Sequence, residues 1–329
     1  MTAPLTLDDI LAARSRIGAR IAQTPVLPDA VLSARLRVPV WLKQEYLQTT
    51  GAFKLRGATN AVLSLSPQAR ARGVVTASTG NHGRALAHAA RAEGVRAVVC
   101  LSRLVPENKV AAVRALGAEV RIIGQSQDEA MIEVARAVHD EGLAEVPPFD
   151  DPAVIAGQGT VALEIVAQVP EVATLLVPLS GGGLAAGVAL AAKALHPGVQ
   201  VIGISMARGA AMAASLAAGH PVEVAELPTL ADSLGGGIGL ANRFTYRMCR
   251  ALLDDVVLLT EAEIAQGIRH IHAITGDAVE GAAAVGVAAL LAGKVSPDGP
   301  VVALLSGCNI DPSLHVRVLA GDLPQEVLA

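Results

Sequence analysis

Short β-branched runs alternate along this chain with longer stretches whose apolar positions recur at helical spacing, a pattern of strands that feed helices. GVVTAS at 73–78 precedes GNHGRALAHAARAEG at 80–94, RAVVCLS at 96–102 precedes ENKVAAVRALG, and AEVRIIG at 118–124 precedes QSQDEAMIEVARAVHDEG. A second set follows, with TLLVPLS at 174–180 before GGGLAAGVALAAKALHPG and then VQVIGIS, while GPVVALLSGCN at 299–309 reads as a last buried strand and its turn. Repeated strand-helix units imply parallel sheets flanked by helices. Residues 260–292 read as helices, the first opening at a Thr260 cap with Glu263 three positions on. Between the two sets lies EVPPFDDPAVIAGQG, where the Pro-Pro pair stops a helix and the chain is expected to cross from one lobe to the other near residue 148.

Composition sharpens this picture. At 329 residues one large or two medium domains are expected. Hydrophobic residues are 52% but aromatics only 2%, so the core must be built from Ala, Val, Leu and Ile, which suits tightly packed helices on a parallel sheet. A net charge of −4 and a pI near 6.1 leave no basic patch for a phosphate backbone, which argues against a nucleic-acid partner. Cys100, Cys249 and Cys308 are far apart and lack metal spacing, pointing to a reducing compartment and to no structural zinc. The N-terminus shows no export signal, and the Ala-rich runs are too short to span a bilayer. A cytoplasmic protein without a membrane partner is expected.

Two stretches carry candidate chemistry. Ser180-Gly181-Gly182-Gly183-Leu184 falls between a predicted strand and a predicted helix, where small residues let backbone N–H groups approach an anion. Gly181 to Ala186 also fits a loose dinucleotide pattern, yet the end of the next strand supplies Ser205 and Met206 instead of an acidic residue, and only Arg208 would serve a 2′-phosphate. The second stretch, TGAFKLRGA at 50–58, sets Lys54 between Phe53 and Leu55. A lysine so placed either snorkels to the surface or, desolvated, becomes a free amine able to form a Schiff base with an aldehyde cofactor.

These stretches, together with STGNHGRAL, PFDDPAVIAGQGT, VPLSGGGLAAG, EGAAAVGVAAL and LLSGCN in that order, resemble the fold-type II pyridoxal phosphate (PLP) enzymes of the threonine dehydratase and serine racemase family along nearly the whole chain. Within it, the stretches ASTGNHGRAL, CLSRLVPENK and TLADSLGGGIG are most similar to the hydroxyectoine utilisation dehydratases. The resemblance implies an α/β fold of the tryptophan synthase β type, with two lobes that each hold a mostly parallel sheet flanked by helices. Residues 1–52 and 149–329 would form a large cofactor-binding domain and residues 53–148 a small mobile one. Lys54 would carry PLP and later act as base at Cα. Ser180, Gly181, Gly182, Gly183 and Leu184 would bind the phosphate, Asn81 the ring hydroxyl, and Ser306 would face the pyridine nitrogen. Phe53 would pack by the ring, and Glu280 would contribute a carboxylate near it. Ser78, Thr79, Gly80, Asn81 and His82 would receive the substrate carboxylate.

A serine hydroxyl cannot stabilise a pyridinium as a carboxylate does, so the ring is a weaker electron sink and elimination is favoured over transamination. The implied activity is a lyase removing water from a β-hydroxy amino acid, a hydroxyectoine-derived 3-hydroxy-2,4-diaminobutyrate derivative or L-threonine or L-serine. A serine or threonine racemase of the same fold stands as the alternative, and from other classes an NADP-dependent oxidoreductase or a noncatalytic amino acid sensor. Thr79 bears on this choice: it stands where racemases of the family place a serine acid/base, and either reprotonates the opposite face or merely packs. Ala52 and Ser180 depart from the family's usual serine and glycine. The segment 205–211 lacks the carboxylates with which racemase-like members hold a divalent cation, so no metal is expected. Relatives suggest a homodimer. The chain leaves no room for a C-terminal regulatory domain, so isoleucine feedback is not expected. Apart from His82, the histidines read as surface or core residues, Cys308 as an inert thiol, and Arg103 and Lys109 as a solvated basic face.

Overall fold

The apolar runs form ten strands in a computed structural model that describes residues 5–78, 80–103, 105, 107–125 and 127–328. In chain order they are β1 (Val26–Pro28), β2 (Val40–Gln44), β3 (Val74–Ala77), β4 (Ala97–Leu101), β5 (Glu119–Ile122), β6 (Ala144–Glu145), β7 (Thr174–Pro178), β8 (Gln200–Met206), β9 (Asp255–Leu259) and β10 (Val301–Leu305). β5-β4-β3-β6 make a four-stranded parallel sheet, and β1-β2-β10-β7-β8-β9 a six-stranded one in which only the β1–β2 pair is antiparallel. The fold is therefore α/β with mostly parallel sheets, as the strand-helix pattern implies. The sequence pattern misses β1, β2, β6 and β9. In β2 the reason is visible: Lys43 and Gln44 interrupt its apolar run, yet both are buried. β6 has only two residues, and β9 lies half-exposed at the sheet edge.

With so few aromatics, the helices approach one another through glycine and alanine. Helix Lys54–Ser64 meets helix Pro152–Gln168 at a glycine pair, where a Cβ on Gly157 would stand 2.6 Å from Gly57 Cα and 2.7 Å from the Arg56 carbonyl oxygen. No larger residue fits that crossing. The second helix starts where Asp151 Oδ1 accepts from the N–H groups of Ala153 and Val154, with Pro152 in its first turn, just after the chain has left β6. Helix Glu261–Thr275 opens with the capping box expected at Thr260 and Glu263.

Beside the glycine crossing lies a buried ionic cluster. Arg56, 1% exposed, grips Glu45 through Nη2 and Nε at 2.7 and 2.8 Å and Glu164 through Nη1 at 2.7 Å. Lys43 donates to Glu164 at 2.6 Å, to Gln168 at 3.0 Å and to the Thr24 carbonyl at 2.7 Å. Burial alone would raise the Glu45 pKa, but the guanidinium more than offsets it and holds the carboxylate below its ordinary range. Two cations face two anions, so the cluster is neutral as a whole. Replacing one member strands the others without solvent. Arg56→Met should therefore lower stability by about 3–5 kcal/mol, measured by urea denaturation. A loss under about 1 kcal/mol, the scale of an exposed pair, would contradict this account.

Candidate active site

The two sheets point the C-terminal ends of their inner strands at one another, the place where open parallel sheets bind ligands. The turns after β7, β10 and β3, together with the start of helix Lys54–Ser64 and the loop at 232–237, enclose a cavity of about 690 Å³. Phe53, Lys54, Ser78, Gly80, Asn81, His82, Ser180 to Leu184, Glu280 and Ser306 all line it. Residues scattered over 250 positions of sequence are thus brought together. Thr79 lies outside the described residues, as does the Lys109 side chain.

Lys54 opens its helix, and the chain just before it is zipped to the turn after β10. The Phe53 N–H donates to the Ser306 carbonyl at 3.0 Å, the Cys308 N–H donates to the Gly51 carbonyl at 2.9 Å, and Ala52 pairs with Gly307. These backbone bonds fix Lys54 against Ser306, and Arg56 anchors the same helix from behind. Lys54 Nζ donates to the Pro148 carbonyl at 2.6 Å and sits 5.4 Å from the Phe53 ring centre. Burial lowers its pKa to about 8, against the opposing pull of the Glu280 carboxylate. Lys43, fully buried and also lowered by burial, is by contrast bonded directly to a carboxylate.

After β7 the backbone turns sharply, with Gly182 at φ 88°, into helix Gly183–Leu195. The first helical bond runs from the Ala186 N–H to the Gly182 carbonyl at 2.8 Å, so the N–H groups of Gly183, Leu184 and Ala185 precede any intrahelical acceptor. Phe149 presses against this turn: a Cβ on Gly181 would lie 2.3 Å from its ring and one on Gly183 2.9 Å from its carbonyl oxygen. Small residues are therefore obligatory, and the helix end is an anion cradle.

Asn81 and His82 begin helix Asn81–Ala92. Asn81 Nδ2 donates to both Glu280 oxygens, at 2.9 and 3.1 Å, and Asn309 Nδ2 donates to Asn81 Oδ1. Glu280 is 2% exposed, and burial, reinforced by Asp232, raises its pKa to about 7 although Asn81, Ser233 and Asn309 donate toward it. His82 is pushed down to about 3 by burial and by Lys54, so it is neutral; its Nε2 stands 2.9 Å from the Val146 carbonyl, and its buried Nδ1 has no hydrogen-bond partner. Ser78 Oγ accepts from the Gly83 N–H at 3.2 Å, tying the loop to its helix.

Sequence reasoning overlooks Asn309, which bridges Asn81, Glu280 and the Thr50 carbonyl, and the carbonyl of Pro148 that receives Lys54. Both lie inside stretches already singled out, and the signal for Asn309 is a polar side chain in the turn that follows a buried strand. Cys308 does not line the cavity; its half-buried thiol is pushed up by burial and points at the Tyr46 carbonyl. Among the described residues no His, Cys, Asp and Glu group is placed to hold a metal ion, and no helix is long and apolar enough to cross a membrane.

Residues 17–307 match the family model described as pyridoxal-phosphate dependent enzyme. A protein of Sinorhizobium fredii, provisionally named a threonine dehydratase, is 59% identical over 318 residues, covering 96% of each chain. The L-threonine ammonia-lyase of Geobacter sulfurreducens is 42% identical over 94% of this chain and 76% of its own. The solved structure of maize serine racemase superposes with a TM-score of 0.90 at 32% identity, covering 97% and 98% of the two chains. A desolvated amine in one cavity with an anion cradle is what PLP requires, and PLP is the cofactor of this enzyme. The chain belongs to the pyridoxal-phosphate-dependent enzymes, in the fold-type II family of threonine dehydratases and serine racemases.

Proposed function

We propose that the enzyme eliminates water from a β-hydroxy amino acid and releases ammonia and a 2-oxo acid. The observation that carries this reading is Lys54 Nζ: a half-buried amine whose pKa desolvation lowers to about 8, bonded only to the Pro148 carbonyl among the described residues, in the cavity that also holds the anion cradle. The names of the bacterial relatives, threonine dehydratase and L-threonine ammonia-lyase, support the reaction class. At the finer level we read the substrate as a hydroxyectoine-derived 3-hydroxy-2,4-diaminobutyrate derivative or as L-threonine or L-serine.

Bound PLP supplies an electron sink that acidifies the Cα–H of the attached amino acid. The protein does the rest. Ser180, Gly181, Gly182, Gly183 and Leu184 would hold the phosphate, Phe53 would pack by the ring, Asn81 would bond the ring oxygen, and Ser306 would offer the ring nitrogen a hydroxyl and no charge. Lys54 Nζ would hold the aldehyde end of the cofactor and, once freed, would accept the Cα proton, a task suited to an amine titrating near working pH. The loop from Ser78 to His82 opens a helix, so its N–H groups suit the substrate carboxylate. Neutral His82 positions this loop through Val146 and adds no charge of its own. Glu280 holds Asn81 in place.

The same reading includes a small mobile domain of residues 53–148 closing on a large domain of residues 1–52 and 149–329, supported by a four-stranded sheet that falls wholly within the first range. A homodimer and a cytoplasmic location follow from the family resemblance.

Protein reconstituted with PLP should release equal amounts of ammonia and oxo acid from at least one of L-threonine, L-serine and the N4-acetylated diaminobutyrate derivative. Lys54→Ala should lower kcat by at least about 100-fold. No release from any of the three would overturn the lyase reading. Rapid threonine turnover marks a general catabolic dehydratase, whereas turnover of the acetylated compound alone places the enzyme in osmolyte breakdown.

The pH dependence of cofactor capture follows from Lys54. Only its neutral amine attacks an aldehyde, and burial has brought the folded-state pKa down from 10.5 to about 8, so the neutral fraction grows as pH rises through about 8. Stopped-flow absorbance of PLP uptake by apoprotein should show a rate rising from pH 6.5 and levelling above about 8. A rate still climbing tenfold per pH unit at pH 9.5 would mean an ordinary, solvated lysine.

A further inference from the structure

Arg84 is the fourth residue of helix Asn81–Ala92, and its backbone N–H closes the first turn on the Gly80 carbonyl at 3.3 Å. Its side chain lines the same cavity as Lys54, Ser180 to Leu184, Glu280 and Ser306. The Nε is buried and has no hydrogen-bond partner, and among the described residues the guanidinium makes no ion pair. Arg56, by contrast, has every arm engaged by carboxylates, a hydroxyl and a carbonyl. Arg84 is half-buried, but its Nε is shut off from solvent, and a stranded donor on a group that cannot shed its charge is retained at a cost.

The acceptor Arg84 lacks is therefore one that arrives with a ligand. The parts common to every amino acid substrate are already provided for: the glycine turn suits the cofactor phosphate, and the N–H groups at the start of Arg84's own helix suit the α-carboxylate. The nearby carboxylates do not supply it. Glu280 is held by Asn81 and the Asn309 N–H, and neither Glu226 nor Asp232, which also line the cavity, is ion-paired with Arg84. Serine and threonine end in the β-hydroxyl and a methyl group, and offer nothing further to a guanidinium.

We propose that Arg84 is a specificity residue that recognises an oxygen acceptor carried beyond Cβ, a carboxylate or an amide carbonyl, and so favours β-hydroxy amino acids with such a side chain over threonine and serine. The proposal rests on the lyase reading and narrows its substrate class. A guanidinium donating two parallel bonds suits a carboxylate, and a single charge-assisted bond suits an amide oxygen. Sites built to bond a substrate group reject analogues that lack it.

The test compares PLP-loaded wild type, Arg84→Gln and Arg84→Lys on L-threonine, 3-hydroxy-L-aspartate and N4-acetyl-3-hydroxy-L-2,4-diaminobutyrate. Wild type should prefer one of the two acceptor-bearing compounds. Arg84→Gln should lower the ratio of its kcat/KM to that of threonine by about 10- to 100-fold, mainly through KM, with Arg84→Lys recovering part of the ratio if the favoured group is the carboxylate. An unchanged ratio, an equal loss on all three substrates or a wild-type preference for threonine would overturn the proposal. Release from none of the three, nor from L-serine, sinks the lyase reading and the proposal with it; release from threonine or serine alone sinks only the proposal. Should Arg84→Gln fail to hold PLP, the wild type decides. L-Aspartate or L-asparagine should perturb the cofactor absorbance at a concentration at least about tenfold below that needed for L-2-aminobutyrate, and equal concentrations would refute the role.

Discussion

The grip of Arg56 on Glu45 and Glu164 is the contact on which the rest of the site depends. Glu45 directly follows β2, Glu164 lies on the helix after the crossing segment, and Arg56 stands two residues beyond Lys54. One side chain thus fixes the helix that presents the amine against both the large sheet and the helix behind it. A buried ion cluster of this kind is weak as a source of net stability, because desolvation offsets most of its attraction. What it supplies is register. A glycine crossing with no side chain to interlock could slide, and a guanidinium held at five acceptor atoms cannot.

The same reasoning separates two lysines. Lys43 is buried and Lys54 half-buried, and both have their pKa lowered by desolvation. Lys43 is compensated by Glu164, so it remains a structural cation within a neutral cluster. Lys54 faces only a carbonyl, with the nearest carboxylate, Glu280, occupied by two asparagines and itself raised toward neutrality. The fold therefore keeps one amine half-buried and poorly compensated, in the cavity that holds the anion cradle. Reactivity here is a matter of what has been withheld from the lysine.

The strand-helix alternation made the parallel α/β architecture legible, and the order of the quoted motifs made the family legible. Lys54, the glycine turn, Asn81, Glu280 and Ser306 meet in one cavity, although they are spread along the chain. Four strands escaped notice because the pattern read was apolar and β2 buries a lysine and a glutamine within its run. Asn309 and the Pro148 carbonyl escaped because their importance is purely geometric: a backbone oxygen has no sequence signature, and an asparagine after a turn is usually only a turn residue. His82 was placed among groups meeting the substrate carboxylate, and the structure lines the cavity with it while directing its ring at Val146.

The central claim is that Lys54, and not Lys43, is the amine that holds the cofactor. Borohydride reduction of the PLP-loaded enzyme, followed by proteolysis and mass spectrometry, reads this directly. The account predicts a pyridoxyl-phosphate adduct on the peptide containing Lys54 and none on the peptide containing Lys43. An adduct on any other lysine, or no adduct at all, would contradict it.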